Sequence, residues 1–257
     1  MTGGLGTESD AEALAQALGR DWYHTIDLAP GKATPGYVDL RPNAPKALPA
    51  DLTGKRALDV GTFDGFWAFE LERRGAAHVY AADLDSHDET DWPPPNRERL
   101  AREMREANAV PGERFQLAHR ILGSSVERIA CSIYDLEPER VGGGVDYVVI
   151  GALLLHLRDP VKGLERVNSV LGDDGRLLIV EPFSPFLSLI PRRVALARLR
   201  ALETNYTWWL PNIIGLGHML RLAGFGELER KAIFRPRTRD GRGPWHVAIE
   251  ARVVARY

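Results

Sequence analysis

The chain has 257 residues, 44% hydrophobic and 26% charged, with a formal net charge of -2. That is enough apolar material for one full α/β core, and a single domain spanning 1–257 is the expectation. The lone Cys131 excludes a disulfide framework, and no apolar run approaches the ~20 residues of a membrane span, so no membrane partner is expected. The N-terminus, MTGGLGTESD, lacks a basic stretch followed by an apolar one, which points to a cytoplasmic protein.

Ser9 to Leu18 reads as a short helix with Ser9 as the candidate N-cap. Pro- and Gly-rich sequence without a sustained period then runs to Leu52. Its Trp22, Tyr23, Ile26, Leu28 and Tyr37 argue for a packed arm, residues 1–52. From Lys55 short apolar runs at 57–60, 78–82, 126–130, 145–150 and 176–180 predict strands buried on both faces. Helical spacing separates them at Phe66–Arg74, Arg97–Ala107, Arg114–Leu122 and Pro160–Leu171. The alternation predicts right-handed crossovers and a parallel sheet covered on both faces. Two last runs, 229–234 and 246–254, have no helix between them, so they form a hairpin and the sheet ends antiparallel. The fold class is therefore α/β, Rossmann-like, with seven mostly parallel strands and a C-terminal antiparallel hairpin.

The first crossover carries the chemistry. Gly61 and Gly65, in DVGTFDG, let the backbone turn tightly beside a helix N-terminus, where free N–H groups favour negative charge. Asp83, ending the next strand, is placed to accept hydrogen bonds from the two hydroxyls of a ribose. A dinucleotide turn reads G-x-G-x-x-G, but Phe63 stands where bare backbone would meet a pyrophosphate, and Asp59 and Asp64 add negative charge. A ligand with an ammonium and a sulfonium, S-adenosylmethionine, fits better than a nicotinamide dinucleotide. No metal is implied.

DVGTFDG resembles the first motif of class I S-adenosylmethionine-dependent methyltransferases, departing from it at Phe63. VYAADLD is similar to their acidic second motif, CSIYDL to the segment bordering adenine, VDYVVIGALLLHLRDP to the fourth strand with its exit loop, and LGDDGRLLIVEPF to the fifth strand. WYHTIDL, GFWAFELERRGA, LLLHLRDP and WWLPN further resemble a group similar to tRNA wobble-uridine methyltransferases of the 5-oxyacetyl type. The resemblance implies that Asp59, Gly61 and Gly65 contact the methionine half of the cofactor, Asp83 the ribose, Leu84 a face of adenine, and Ser132 with Ile133 the adenine edge. It also implies that Gly151 leaves room beside the methyl group.

Methyl transfer to a hydroxyl or ammonium needs a proton acceptor. His156 is the candidate base: it follows ALLL at the mouth of the fourth strand, and its setting is similar to that of the basic histidine of caffeic-acid-type O-methyltransferases. The alternative is a helix cap or a bond to Asp159. Tyr23 and His24 of the arm are candidates to close over the cofactor. An insertion at 182–210 follows the fifth strand; from it and its end Tyr206, Trp208 and Trp209 are candidates for an aromatic wall around the acceptor, and Asn212 for holding a polar group of it. Val194–Leu202 has apolar residues at helical spacing beside Arg198 and Arg200, and Arg235–Arg242 form a basic loop in the C-terminal hairpin. The expected acceptor is a small molecule methylated on oxygen or nitrogen. tRNA wobble uridine and a non-catalytic cofactor-binding role are the alternatives, and oligomeric state is left open.

Overall fold

The computed structural model describes residues 8–107, 109–190 and 194–256. Helix α1 (Glu8–Leu18) opens it, with Ser9 inside the helix. A seven-stranded sheet forms the centre: β1 (Arg56–Val60), β2 (His78–Asp83), β3 (Glu127–Ala130), β4 (Val145–Gly151), β5 (Leu171–Pro182), β6 (Phe225–Phe234) and β7 (His246–Val253), in spatial order β6-β7-β5-β4-β1-β2-β3. β7 runs antiparallel to both neighbours, and the other pairings are parallel. The hairpin predicted from the two C-terminal runs is thus formed, and it places β7 inside the sheet rather than at its edge.

Helices α2 (Phe66–Arg73), α3 (Pro94–Glu106), α4 (Glu113–Leu122), α5 (Pro160–Val170) and α6 (Ile213–Leu222) fill the connections. One core joins α1, α2 and α4 to one face of the sheet through Ala17, Phe66, Phe69, Phe115 and Val149. The other joins α5 and α6 to the opposite face through Leu164, Val167, Leu216, Leu220 and Ile150. Strands covered on both faces explain the near-continuous apolar runs. α3 starts at Pro94, not at Arg97, because proline fits the first helical turn, where no backbone N–H partner is needed.

The arm has more structure than its composition suggested. Trp22–His24 runs parallel to Gly36–Asp39, and the small strands Arg237–Thr238 and Gly241–Arg242 of the β6–β7 loop extend that pair into a four-stranded sheet. The close approach needs Gly36, where a Cβ would lie 2.2 Å from the His24 backbone carbon. Within the basic loop Arg239 bonds the Pro35 carbonyl and Asp21, and Arg235 bonds the carbonyls of Arg242 and Gly243.

The helix expected at Val194–Leu202 does not form. Ala197–Leu199 is a strand that pairs antiparallel with Trp209–Pro211. Asn212 fixes this hairpin: its Oδ1 accepts from Leu196 N and Gly215 N, and its Nδ2 donates to the Leu187 and Val194 carbonyls. Those partners satisfy backbone groups that a helix would have paired internally, so apolar spacing alone misread the segment.

Candidate active site

The carboxyl ends of β1, β2, β3, β4 and β5 meet at one edge, where an open α/β sheet holds its ligand. At the β1 exit Gly61, Phe63 and Gly65 all have positive φ, 75°, 52° and 95°. Gly65 is also required by packing, since a Cβ there would lie 2.3 Å from Phe69. Phe63, 53% exposed, turns its ring outward against Tyr23 at 5.7 Å between centroids. Its N–H donates to Asp83 Oδ2 at 2.6 Å, and Leu84 N–H donates to Asp83 Oδ1 at 2.7 Å. Each Asp83 oxygen keeps a second lone pair for a ribose hydroxyl. Burial pushes the Asp83 carboxyl up, against those two N–H groups and Arg128.

Asp59 lies fully buried beneath the turn. Its Oδ2 accepts from Ala68 N in α2, while Oδ1 has no hydrogen-bond partner among the described residues, and the same holds for the buried Thr62 Oγ1 beside it. Burial pushes the Asp59 carboxyl up to about 7, against the neighbouring Thr62 hydroxyl and the Ala68 N–H, so it is about half protonated at neutral pH. Asp64 takes no part in the ligand side of the turn. Its Oδ1 lies 2.6 Å from His24 Nδ1 and its Oδ2 accepts from His24 N at 2.8 Å. His24 is therefore a clamp between arm and turn, its ring 5.3 Å from Phe66, and its side chain does not reach over the site. Tyr23, its neighbour, is the arm residue that stays half-exposed there, stacked on Tyr37 and edge-on to Phe63.

The adenine side follows the sequence more loosely. Ser132 Oγ accepts from Tyr134 N and caps the turn Ile133–Asp135, and the Ile133 side chain is buried in the core, leaving the backbone of these residues at the edge. Leu84 is half-buried, with its carbonyl held by Arg128. At Gly151 a Cβ would meet Trp67 Nε1 at 2.1 Å, so the glycine admits the Trp67 indole.

His156 ends a turn of 3-10 helix, Leu154–His156, at the β4 exit. Ala152 before it has φ 51°, a left-handed conformation that a side chain disfavours. His156 Nδ1 lies 2.7 Å from the Tyr206 carbonyl. A carbonyl only accepts, so Nδ1 carries the proton and Nε2 presents a lone pair. Nε2 has no hydrogen-bond partner among the described residues, and burial lowers the imidazole pKa, keeping the ring neutral. Neither alternative for His156 is realised, because Asp159 Oδ1 caps α5 through Lys162 N and Arg158 lies over the Trp208 ring.

The insertion roofs this turn. Trp208 N donates to the Leu155 carbonyl and Trp208 Nε1 to the Asp91 carbonyl, and Tyr206 packs edge-on to Trp92 at 5.2 Å. Trp209 borders a small cavity with Leu154, Leu155, Glu181 and Met219. Asn212, with every polar atom used inside the insertion, cannot also hold an acceptor group, which corrects the expectation for it.

Two acids missed in the sequence organise the roof. Glu181, near the end of β5, is buried, and its Oε1 accepts from Leu153 N at 2.9 Å and Leu154 N at 3.0 Å, capping the turn that carries His156. Burial pushes this carboxyl up to about 8. A charged residue ending an otherwise apolar strand was the available signal. Asp91 Oδ2 accepts from Tyr134 OH and Arg158 N, tying the loop after β2 to the β4 exit loop, and no sequence signal marks it.

Residues 37–231 match the model of a methyltransferase domain. The chain belongs to this methyltransferase family. It is a class I S-adenosylmethionine-dependent methyltransferase, and the finer likeness to wobble-uridine enzymes is not confirmed. No curated protein matches it by sequence. Among solved structures, a putative S-adenosylmethionine-dependent methyltransferase from Listeria monocytogenes superposes with a TM-score of 0.52 at 17% identity, covering 82% of this chain and 95% of that one. DhpI in complex with SAH gives 0.52 at 17%, covering 84% and 87%. The 1,6-didemethyltoxoflavin-N1-methyltransferase of Burkholderia thailandensis gives 0.50 at 17%, covering 99% and 94%.

The residues suit the cofactor. Asp59 and Asp83 bring acceptors to where an ammonium and ribose hydroxyls need them, and Asp59 Oδ1 is an acceptor with nothing donated to it among the described residues. Arg128, the cation that contacts the β2 exit, is held by Asp85 and the Leu84 carbonyl, away from any diphosphate.

Proposed function

We propose that the protein transfers a methyl group to an oxygen or nitrogen of a small-molecule acceptor held between His156 and the aromatic roof. The observation that carries this is the His156 hydrogen bond to the Tyr206 carbonyl, which leaves Nε2 as a free proton acceptor below the insertion. S-adenosylmethionine supplies a methyl group on a good leaving group. The chain's part is to hold donor and acceptor in line and exclude water. Asp59 Oδ1 takes the cofactor ammonium, Asp83 the ribose hydroxyls, and the backbone at Leu84, Ser132 and Ile133 the adenine. Gly61 and Gly65 shape the turn, whereas Gly151 serves Trp67. Tyr23, Tyr206, Trp208 and Trp209 form the walls, and His156 Nε2 accepts the acceptor's proton.

The Burkholderia thailandensis neighbour, an N-methyltransferase shown with its small-molecule substrate, has the same fold and is consistent with such an acceptor. Wobble uridine has less support, because Arg235 and Arg239 of the basic loop are spent on internal carbonyls and Asp21. A screen of aromatic hydroxyl and amino compounds, read by S-adenosylhomocysteine release, tests the reading with the His156→Ala variant beside the wild type. A base supplies roughly 10²- to 10⁴-fold, so the variant should lose that much kcat. Equal turnover by both proteins would remove His156 from the role.

A further inference from the structure

Phe63 holds φ 52° between Gly61 and Gly65, which have positive φ as well. Glycine adopts that conformation freely, whereas a phenylalanine is strained in it. The backbone at this position does not call for a ring, because the bond from Phe63 N to Asp83 Oδ2 is open to any residue but proline. The turn is nevertheless held in place on both sides of the strained residue. Gly61 N and Thr62 N donate to the Ala82 carbonyl, Gly65 N donates to the Thr62 carbonyl, and the next side chain, Asp64, is clamped by His24. Strain that the surroundings maintain at a ligand turn implies a use for the side chain that bears it.

Core packing does not supply that use. Phe63 is more than half exposed, and its ring meets Tyr23, itself half-exposed, edge-on. Tyr23 is backed by Tyr37, their centroids 6.5 Å apart, so an arm residue braces one flank of the Phe63 ring while the rest of the ring is left open. Asp83 identifies what the open part is near. The carboxylate that accepts from Phe63 N is the one whose remaining lone pairs take the ribose hydroxyls, so the ring is rooted one hydrogen bond from the bound sugar. A ribose presents apolar C–H faces beside its hydroxyls, and an aromatic ring covers such a face well. We propose that Phe63 is a cofactor-contacting residue whose ring, braced by Tyr23, closes over the ribose and sets how slowly the spent cofactor leaves. This rests on the ribose placement at Asp83 given above and adds the side chain that covers the sugar.

Dissociation of S-adenosylhomocysteine, followed by stopped-flow displacement, tests this without any acceptor. Covering about half of a phenylalanine side chain changes affinity by roughly 10-fold, and such changes fall mainly on the dissociation rate. Phe63→Gly should therefore release S-adenosylhomocysteine about 10-fold faster than the wild type. Its melting temperature should not fall, because glycine carries no strain at this φ. Phe63→Tyr, which keeps the ring, should keep the slow release. An unchanged rate in Phe63→Gly overturns the proposal, and so does a Phe63→Tyr rate as fast as that of Phe63→Gly. Faster release together with a clearly lower melting temperature overturns it too, by making the ring a structural part of the turn. Asp83→Ala separates the two levels of failure: if it weakens S-adenosylhomocysteine while Phe63→Gly does not, only the role of the ring fails. If both variants bind as the wild type does, the ribose placement fails with it.

Discussion

Titration of the protein with S-adenosylhomocysteine at about pH 7.5 and again at about pH 5.5 probes Asp59 above other groups. Its carboxyl, pushed up to about 7 by burial, is mostly ionised at the higher pH and protonated at the lower. The cofactor ammonium favours the ionised form, so binding below pH 7 must release a proton, and each pH unit then costs about 1.4 kcal/mol, a factor of 10. With a folded pKa of about 7, the apparent Kd should weaken about 25-fold between the two conditions. Calorimetry near pH 6 in two buffers of different ionisation heat should count close to one proton released. Asp59→Asn should bind more weakly and show a much flatter slope, with the remainder coming from Asp83, raised by the same burial. A Kd that does not change with pH in the wild type, or an undiminished slope in Asp59→Asn, would refute the placement of the ammonium.

The raised carboxyls also bear on stability. Asp59 and Glu181 have folded pKa values of about 7 and about 8, above their unfolded ones, so their contribution is greatest in acid and is lost as pH rises through those values. The melting temperature should therefore fall from about pH 5 to about pH 8, and Glu181→Gln should flatten that fall; a profile rising over this window would contradict the burial. Glu181→Ala, which leaves Leu153 N and Leu154 N without their acceptor, should lower kcat more than Glu181→Gln, while leaving S-adenosylhomocysteine affinity intact. For turnover, the lowered imidazole pKa of His156 should put the acid limb of kcat below the usual value of about 6.5, visible in a pH–rate profile. Gly151→Ala, forcing a Cβ to 2.1 Å from the Trp67 indole, should destabilise by roughly 1 to 3 kcal/mol in chemical denaturation, with equal stability arguing that Trp67 moves freely.

The sheet was legible because β1, β2, β4 and the second half of β5 are buried on both faces and announce themselves as apolar runs between helical periods, whereas the edge strand β3 is only partly buried. Asp83 was legible for a similar reason, as an acid at the end of an apolar strand. What escaped depends on partners distant in sequence. Nothing near Asn212 reveals that Leu187, Val194 and Leu196 converge on it, and nothing near His24 reveals Asp64, 40 residues away. Nor does anything near Gly151 reveal that the Trp67 indole needs a glycine there. The apolar spacing of Val194–Leu202 was real, yet Ala197–Leu199 pairs as a strand with Trp209–Pro211.

The central claim is that an acceptor sits between the cofactor sulfur and His156 Nε2, beneath Tyr206, Trp208 and Trp209. A crystal structure with S-adenosylhomocysteine bound tests it most directly. The account predicts ribose hydroxyls on Asp83, the ammonium on Asp59, and the sulfur turned toward Nε2 across a gap the size of one acceptor group. A sulfur turned away from His156, or an Nε2 already occupied by a protein donor, would contradict it.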